Sequence, residues 1–560
     1  MAEFLVKWKI WLLAAIILMV AGIFAFRPAK NSYRYHKEQH SLTMATNFFA
    51  KADYRNAALS ARQVLQLNPT NVFACRVMAN IADISKSPAA LDMHRLLAEV
   101  EPTTENKLRF AEAGLRYQSS PYPVTSQILK ELATSPATNL AFFHVIAAEY
   151  ALAFRQLDAA EIHMSKAAAL EPTNRLYQLN VAIIGLHNTN AMALDNARAG
   201  LQSFLADTNY SAAALRALLT DRLAHEDIVA ARGFSEQLLL TPQATLPDRL
   251  QNLSILKKIA PADFTNQLVA LQSQSATNAA SVAQVGRWLN GNDLAVEVIR
   301  WFNSLSKDLR AVSAIRIVQA SALDITGDWT ALREFCAHGN WKESEFVRLA
   351  LLAHAWGKLG DLSVFRGNWH AAVDAAGGNF GALANLLDMT TRWQLVRERQ
   401  DLLWTMLKKF PRERWIVAAL EEQYYRAGDT AGLNRVYRQM FSVTPESLEF
   451  KNNLAYTSLL LHTNLPEAQK QAAQLYEKTP DNPAIASTQA FALHLQGKND
   501  EALVALKKLK PAFLERPSLA LHYGLLLAAT GDPAGAEHYL GLARAVSGLL
   551  PEEKRLLEGH

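Results

Sequence analysis

The sequence predicts an all-α fold, a solenoid built from stacked pairs of helices. Three observations lead there: a composition that favours helix, a break in the chain at nearly regular intervals, and a helix–turn–helix pattern inside each interval. Half of the 560 residues are hydrophobic, while Gly and Pro number only 24 and 20. Alternating Val, Ile and Thr runs bounded by turn dipeptides do not occur, so the sheet signal is weak.

Prolines or small polar residues mark the intervals. The first four markers lie 33, 34 and 36 residues apart, at Pro69, Pro102, Pro136 and Pro172. The next three continue at steps of 35, 35 and 33, at Asp207, Pro242 and Ser275. After a less regular middle, steps of 34, 35 and 31 return at Pro411, Pro445, Pro480 and Pro511. A persistent period of this length is typical of repeat proteins, in which each unit buries its apolar face against its neighbours.

Each interval carries the residues that a tight helix pair requires. The first helix holds a small residue where the two helices cross: Ala45, Ala148, Ala320, Ala353, Ala490 and Gly524. A Gly-Asp turn or a relative follows, at residues 52–54, 327–329, 360–362, 428–430, 497–500 and 531–533. Gly supplies the backbone geometry that ends the first helix, and Asp or Asn caps the second. Ala57, Ala502 and Ala536 are the matching small residues of the second helix.

These residues give the chain a resemblance to the tetratricopeptide repeat. The stretch "ADYRNAALSARQVLQLNPTN" at 52–71 is similar to the second half of that repeat, and 427–445 and 496–511 are further matches. The resemblance divides the body into well-matched repeats at 38–172, degenerate repeats at 173–410 and well-matched repeats at 411–550, followed by a tail at 551–560. It implies a right-handed superhelix whose first helices line a concave groove.

The N-terminus is predicted to be a separate segment. A basic tail at residues 1–9 precedes an uncharged apolar run at 10–26, and a linker at 27–37 leads to the repeats. The length of this run is close to the minimum for a membrane-spanning helix. Trp8 and Lys9 precede it and Arg27 follows it, as is common at membrane interfaces. An uncleaved anchor is the interpretation we favour; a cleaved signal peptide and a buried core helix are the alternatives.

The flanking charges nearly cancel and leave the orientation open. A slight excess of basic residues after the span favours a cytoplasmic body, whereas a short basic tail before an apolar run is common in anchors that export a long C-terminal domain. The sequence-based expectation is a single-pass protein of the inner membrane with its repeats on the periplasmic side. In this arrangement the chain is similar to non-enzymatic bacterial assembly or envelope proteins.

No catalytic, metal or cofactor motif is found in the chain. It lacks a nucleophile elbow, a phosphate loop, a dinucleotide fingerprint and a zinc-protease helix. The two cysteines, Cys75 and Cys336, form no CxxC pair. A net charge of +5 is too thinly spread to indicate a nucleic-acid partner. We therefore expect no enzyme, no cofactor, no metal and no bound nucleic acid.

The resemblance places function in the groove. Aligning the best repeats with the family puts seven residues on groove-facing positions of first helices: Glu422, Tyr425, Arg426, Asn452, Tyr456, Phe491 and His494. Aromatic and hydrogen-bonding groups of this kind suit a peptide or helix from a partner protein. The expected function is a scaffold in an envelope, secretion or polysaccharide-export complex, attached to the membrane through its N-terminal helix. The alternatives are a glycan or polymer binder and an enzyme with a cryptic site.

Overall fold

The structure, a computed structural model, describes residues 32–545 and 548–559. Within these ranges the regular elements are helices, and no strand is found. The all-α prediction is thus confirmed for the described part of the chain. Contacts among these described residues divide them into two compact units, with the division between Leu271 and Gln272.

The first unit is a succession of helices of similar length joined by short turns, with a 3-10 helix at Pro136–Asn139. Its helices are α1 (residues 32–50), α2 (Tyr54–Leu67), α3 (Val72–Ile84), α4 (Ala89–Val100), α5 (Thr104–Tyr117), α6 (Pro123–Leu132), α7 (Ala141–Ala153), α8 (Leu157–Leu170), α9 (Arg175–Gly185), α10 (Ala191–Gln202), α11 (Ser211–Ala224), α12 (Ile228–Leu239) and α13 (Leu246–Ile259). The next helix, α14 (Pro261–Ser275), contains the boundary between the units.

The second unit continues the pattern, with two shorter helical pieces at Lys307–Ala311 and Pro511–Leu514 and a 3-10 helix at Lys342–Ser344. Its helices are α15 (Ala279–Asn290), α16 (Ala295–Ser304), α17 (Lys307–Ala311), α18 (Ser313–Thr326), α19 (Trp329–Ala337), α20 (Glu345–Lys358), α21 (Leu362–Ala376), α22 (Phe380–Arg392), α23 (Val396–Lys409), α24 (Arg414–Ala427), α25 (Thr430–Val443), α26 (Leu448–Leu460), α27 (Leu465–Lys478), α28 (Pro483–His494), α29 (Asn499–Lys507), α30 (Pro511–Leu514), α31 (Pro517–Ala529), α32 (Pro533–Arg544) and α33 (Pro551–Glu558).

Helices pack mainly against their neighbours in sequence, as the predicted repeat requires. The closest partners are consecutive helices such as α7 with α8, α20 with α21, and α31 with α32. The predicted crossing residues Ala45, Ala148, Ala320, Ala353 and Ala490 are all fully buried. At Gly524 an added Cβ would lie 2.8 Å from Leu540 of the paired helix. Small side chains therefore permit the close approach of helices within a pair.

The predicted turn chemistry is confirmed at most of the Gly-Asp sites. Gly327, Gly360, Gly428, Gly497 and Gly531 have positive φ angles, which only glycine adopts without strain. At five of the six predicted turns an N-cap aspartate accepts a backbone hydrogen bond: Asp53, Asp328, Asp361, Asp429 and Asp532.

Two details of the turns differ from the expected pattern. In the first turn Ala52 takes the left-handed position, with φ 57°. At 497–500 no side chain caps α29, because Asn499 is already helical. Its Oδ1 lies 2.8 Å from His494 Nδ1 instead.

The dipeptide Thr-Asn recurs near the ends of units, at residues 70–71, 173–174 and 277–278, and it has a structural reason. Asn71, Asn174 and Asn278 are the N-caps of α3, α9 and α15, and their side chains accept backbone hydrogen bonds there. Asparagine is among the best N-cap residues. The repeated Thr-Asn therefore starts the following unit as well as ending the preceding one.

Replacing Gly432 with Ala is expected to destabilise the packing of α24 on α25. A Cβ there would lie 2.2 Å from two ring atoms of the buried Tyr424. Overpacking of this kind costs about 1–3 kcal/mol. Hydrogen exchange of α24 and α25 amides in G432A measures the loss. The control is Gly367→Ala in α21, where nothing lies within 4 Å of the new Cβ; equal exchange in both variants would contradict the prediction.

Two arginine–aspartate pairs brace helices of the first unit. Arg198 of α10 makes two hydrogen bonds with Asp221, at 2.8 and 3.1 Å, and Arg216 of α11 makes two with Asp248, at 2.9 and 2.8 Å. Burial alone would raise the pKa of Asp248. The Arg216 guanidinium and the Thr245 backbone and hydroxyl outweigh it and lower the pKa to about 2. The ionised form of Asp248 is therefore stabilised by folding.

This shift makes the stability of the first unit pH-dependent. Because the folded pKa is lowered from 3.8 to about 2, Asp248 contributes about 2 kcal/mol above pH 4, and the contribution is lost as pH falls towards 2. Asp248→Asn should lower the unfolding free energy at neutral pH, and the difference from wild type should shrink in that window. Urea titrations at several pH values measure it, with the exposed Asp158→Asn as control. A difference that stays constant with pH would contradict the assignment.

The predicted membrane segment at residues 10–26 lies outside the described residues. Across 32–545 and 548–559, no helix is both long enough and apolar enough to cross a membrane. This finding overturns the predicted localisation as a single-pass protein of the inner membrane.

Candidate functional site

The C-terminal helix α33 lies on the preceding helices of the second unit. Pro551 packs on Gly428 at the end of α24, and a Cβ at 428 would lie 3.2 Å from Pro551 Cγ. The hydroxyl of Thr430 donates to Glu552, and that of Tyr456 donates to Glu553 Oε1 at 2.5 Å. We call the surface formed by Gly428, Thr430, Tyr456 and the adjoining face of α31 the α33 groove.

Leucines on either side of the two glutamates supply the apolar part of this contact. Leu550 is fully buried in the core that contains Phe450 and Leu454, and Leu557 is buried with residues of α31 and α32. Leu556 packs between the two clusters. Burying a leucine contributes about 2 kcal/mol, so the leucines hold α33 in place and the polar contacts orient it.

Glu553 is the buried polar centre of the contact. It is 6% exposed, and besides Tyr456 it accepts a hydrogen bond from the Leu550 backbone N–H at 2.7 Å, which caps α33. Burial raises the pKa of Glu553, although the hydrogen bonds from Tyr456 and Leu550 act in the opposite direction. Burial and the neighbouring Glu553 also raise the pKa of Tyr456 well above its usual value. Tyr456 therefore remains a neutral hydrogen-bond donor.

The aromatic rings of Phe491 and His522 pack against Tyr456 and against each other. The rings of Phe491 and His522 stack with centroids 4.8 Å apart, and both lie about 5.5–6.1 Å from the Tyr456 ring. His522 Nδ1 is 2.8 Å from Ser487 Oγ. Burial, with a smaller contribution from His494, lowers the pKa of His522 to about 3, so this imidazole is neutral at physiological pH. The cluster is thus an uncharged floor for the groove.

Of the seven residues predicted from the sequence, the structure brings Tyr456 and Phe491 together at the α33 groove. Phe491 is 2% exposed, so it supports the groove from within the core. Asn452 is also buried, and its Oδ1 has no hydrogen-bond partner among the described residues. His494 is half-buried and bonded to Asn499. These last two residues offer little surface to a ligand.

The remaining three predicted residues are exposed on α24. Glu422 and Arg426 form an ion pair one helical turn apart, and Tyr425 is 47% exposed. Glu422 and Arg426 line a pocket of about 540 Å³, together with Gln423 of the same helix and Arg399 of α23. An exposed ion pair of this kind contributes little to stability, which leaves both side chains available for contacts.

Sequence reasoning missed the other half of the site. Thr430, His522, Glu552 and Glu553 were not identified, and residues 551–560 were assigned to a tail. A signal was present: Pro551 at the first helical position, Glu553 two residues later and leucines at 550, 556 and 557 describe a capped amphipathic helix. The helix was overlooked because it falls outside the repeat period.

A second buried polar network lies in the middle of the second unit. His354 Nδ1 of α20 is 2.6 Å from Asp324 Oδ1 of α18, and Trp393 Nε1, just after α22, donates to Asp324 Oδ2 at 2.8 Å. The His354 and Trp393 rings stack 4.1 Å apart. One carboxylate thereby joins three successive first helices.

Among the described residues no group of three or more His, Cys, Asp or Glu side chains is placed to hold a metal ion. Cys75 and Cys336 are free and buried. Burial raises the pKa of the Cys336 thiol to about 12, so it is not a ready nucleophile.

No family model matches the chain, and no curated protein matches it. Solved structures with similar arrangements include the Cut9–Hcn1 hetero-tetramer of the APC/C, at 11% identity over 94% of this chain and 97% of that one, with a TM-score of 0.27. A tetratricopeptide repeat protein from Parabacteroides merdae is 16% identical over 44% of this chain and 98% of its own, with a TM-score of 0.25.

A third solved structure is Naa15/Naa10 bound to HypK-THB, at 12% identity over 93% and 96% of the two chains and a TM-score of 0.25. These TM-scores are low. The description of a helical repeat resembling the tetratricopeptide repeat therefore stands on this chain's own helix pairs, turns and crossing residues.

Proposed function

We propose that the chain is a protein-interaction scaffold whose α33 groove binds an amphipathic helix of a partner protein. The observation that carries the proposal is the seating of α33 itself, which places leucines and two glutamates against Thr430, Tyr456 and α31. Helix-in-groove recognition works in this way, with apolar anchors one or two turns apart. The partner helix would carry the same chemistry: leucines on one face and acidic residues in its first turn.

A groove for glycan or polymer is less well supported by the same residues. A row of exposed aromatic rings along the groove would favour binding of a sugar chain. Here Phe491 is buried against His522, and the Tyr456 hydroxyl is bonded to Glu553. Tyr425 alone of the predicted aromatic residues is exposed. The envelope, secretion or export complex expected from the sequence depended on the membrane anchor and forms no part of the proposal.

A peptide of residues 548–559, labelled with a fluorophore, tests the proposal in trans. In the full chain carrying Leu557→Asp, the resident α33 is released, so the peptide should bind saturably to the empty groove. In the wild-type chain α33 fills the groove, so the peptide should bind about 10-fold more weakly. Fluorescence anisotropy reports both affinities. Adding Tyr456→Ala to the opened chain should abolish binding, and a peptide of scrambled sequence should not bind. An opened chain that fails to bind the native peptide would refute the groove as a helix-binding surface.

A further inference from the structure

The second unit also has a basic pocket, whose lining residues do not belong to the α33 groove. It lies beside α17 and α18, has a volume of about 510 Å³, and is lined by Lys307, Arg310 and Arg316 together with His338. No carboxylate contributes to its lining. Its size falls within the range of small-ligand sites. The pocket therefore concentrates positive charge in a cavity large enough for a small anion.

The charge of this pocket is not compensated by the described part of the chain. Other arginines nearby are paired: Arg300 with Glu297, Arg333 with Glu334 and Arg348 with Glu345. Lys307, Arg310 and Arg316 form no such ion pair within the described residues, and the buried Nε of Arg310 has no acceptor there. Glu345, the acid beside Trp341, is already engaged by Arg348 and by the Trp341 backbone N–H at 2.9 Å. Uncompensated cations in a cavity favour an anionic ligand.

The walls of the pocket hold the arginines in place. The Arg316 Nε–H points to the Arg310 carbonyl oxygen at 3.4 Å, and a Cβ at position 339 would lie 3.2 Å from Arg316 Nη1. Gly339 has φ 98°, a conformation that disfavours any other residue. The rings of Phe335 and Trp341 meet edge to face, with centroids 6.1 Å apart. The Arg316 guanidinium thus faces the cavity between a glycine and an aromatic wall.

We propose that this pocket binds a phosphate group, carried either by a small molecule or by a phosphorylated segment of a protein. Two guanidinium groups and an ammonium offer more donors and more charge than a single carboxylate can match. A phosphate ester carries close to two negative charges and three acceptor oxygens, and arginine forks fit it with paired hydrogen bonds. The pocket is therefore a second ligand site, independent of the helix-binding groove.

Isothermal titration calorimetry on the full chain tests the assignment. The probes are inorganic pyrophosphate, ADP, a phosphoserine peptide with its unphosphorylated form, and succinate as a dicarboxylate. We expect saturable binding of pyrophosphate that weakens as salt is raised. The double variant R310Q/R316Q should bind it at least about 10-fold more weakly. The control R366Q/R397Q removes the same charge from exposed positions on α21 and α23 and should stay within about twofold of wild type.

The probes also separate the two sources of phosphate. Tighter binding of ADP indicates a small molecule, and tighter binding of the phosphoserine peptide indicates a modified protein; either result supports the site. If R310Q/R316Q does not fold by circular dichroism, the exposed Lys307→Gln replaces it, with an expected loss of about threefold. Absence of saturable binding by every phosphate probe, equal weakening in R366Q/R397Q, or succinate binding as tightly as pyrophosphate would overturn the proposal.

Discussion

Replacing Asp324 with Ala is expected to lower the unfolding free energy of the second unit by about 3 kcal/mol. Both oxygens of this carboxylate are used: His354 Nδ1 lies 2.6 Å from one, and Trp393 Nε1 donates to the other at 2.8 Å. Without the carboxylate, Nδ1 of the buried His354 and Nε1 of the half-buried Trp393 lose their partner. Because His354 is 5% exposed, its Nδ1 would be left buried without a hydrogen-bond partner, and most of the desolvation cost arises there.

Urea unfolding and hydrogen exchange of α18, α20 and α22 measure this loss. Asp374→Ala on the exposed face of α21 is the matched control and should change stability by less than about 0.5 kcal/mol. Asp324→Asn keeps one acceptor oxygen and should lose less than the alanine variant. Equal stability of D324A and D374A would show that the network does not connect the three helices.

Replacing Leu557 with Asp is expected to release α33 from its groove. Leu557 is 8% exposed and packs with residues of α31 and α32. The change removes an apolar contact and places a charge in an apolar site, a cost of about 3 kcal/mol or more. Amides of α33 should then exchange about 100-fold faster, while those of α26 and α28 keep most of their protection.

Lys554→Asp is the control for this variant. Lys554 lies on the exposed side of the same helix, so the change alters charge at least as much without touching the buried face. Exchange in α33 should remain close to that of wild type. If K554D releases α33 as completely as L557D, charge on the helix decides docking, and the apolar contact does not.

The sequence was sufficient for most of the packing and turn residues that recur from one helix pair to the next. Ala353 and Ala490 were identified as crossing residues because the same small side chain recurs at one position of each unit, and both are fully buried. Asp328 and Asp429 were identified as caps because turn chemistry depends on a few adjacent residues. Local and periodic features of this kind are set within one unit and its neighbour, so they can be predicted without the structure.

The α33 groove could be predicted only in part, because its contacts join residues that are far apart in the chain. Tyr456 and Glu553 are 97 positions apart, and no periodicity relates them. Phe491 was placed on the groove face, but the His522 ring of a later helix stacks over it and buries it. The basic pocket depends on a glycine at φ 98° that belongs to no repeat turn. Both proposed ligand sites, the α33 groove and the basic pocket, thus depend on residues that do not follow the repeat pattern.

The measurement that tests the central claim most directly is hydrogen exchange of α33 in the wild-type chain, with and without an excess of the isotopically labelled peptide 548–559. If the groove is a helix-binding surface with α33 as its resident occupant, α33 is protected in the free chain. The added peptide then accelerates exchange in the resident α33 while α26 and α31 stay protected. Exchange of α33 at the rate of the free peptide, or a resident helix that the added peptide leaves unchanged, would contradict the claim.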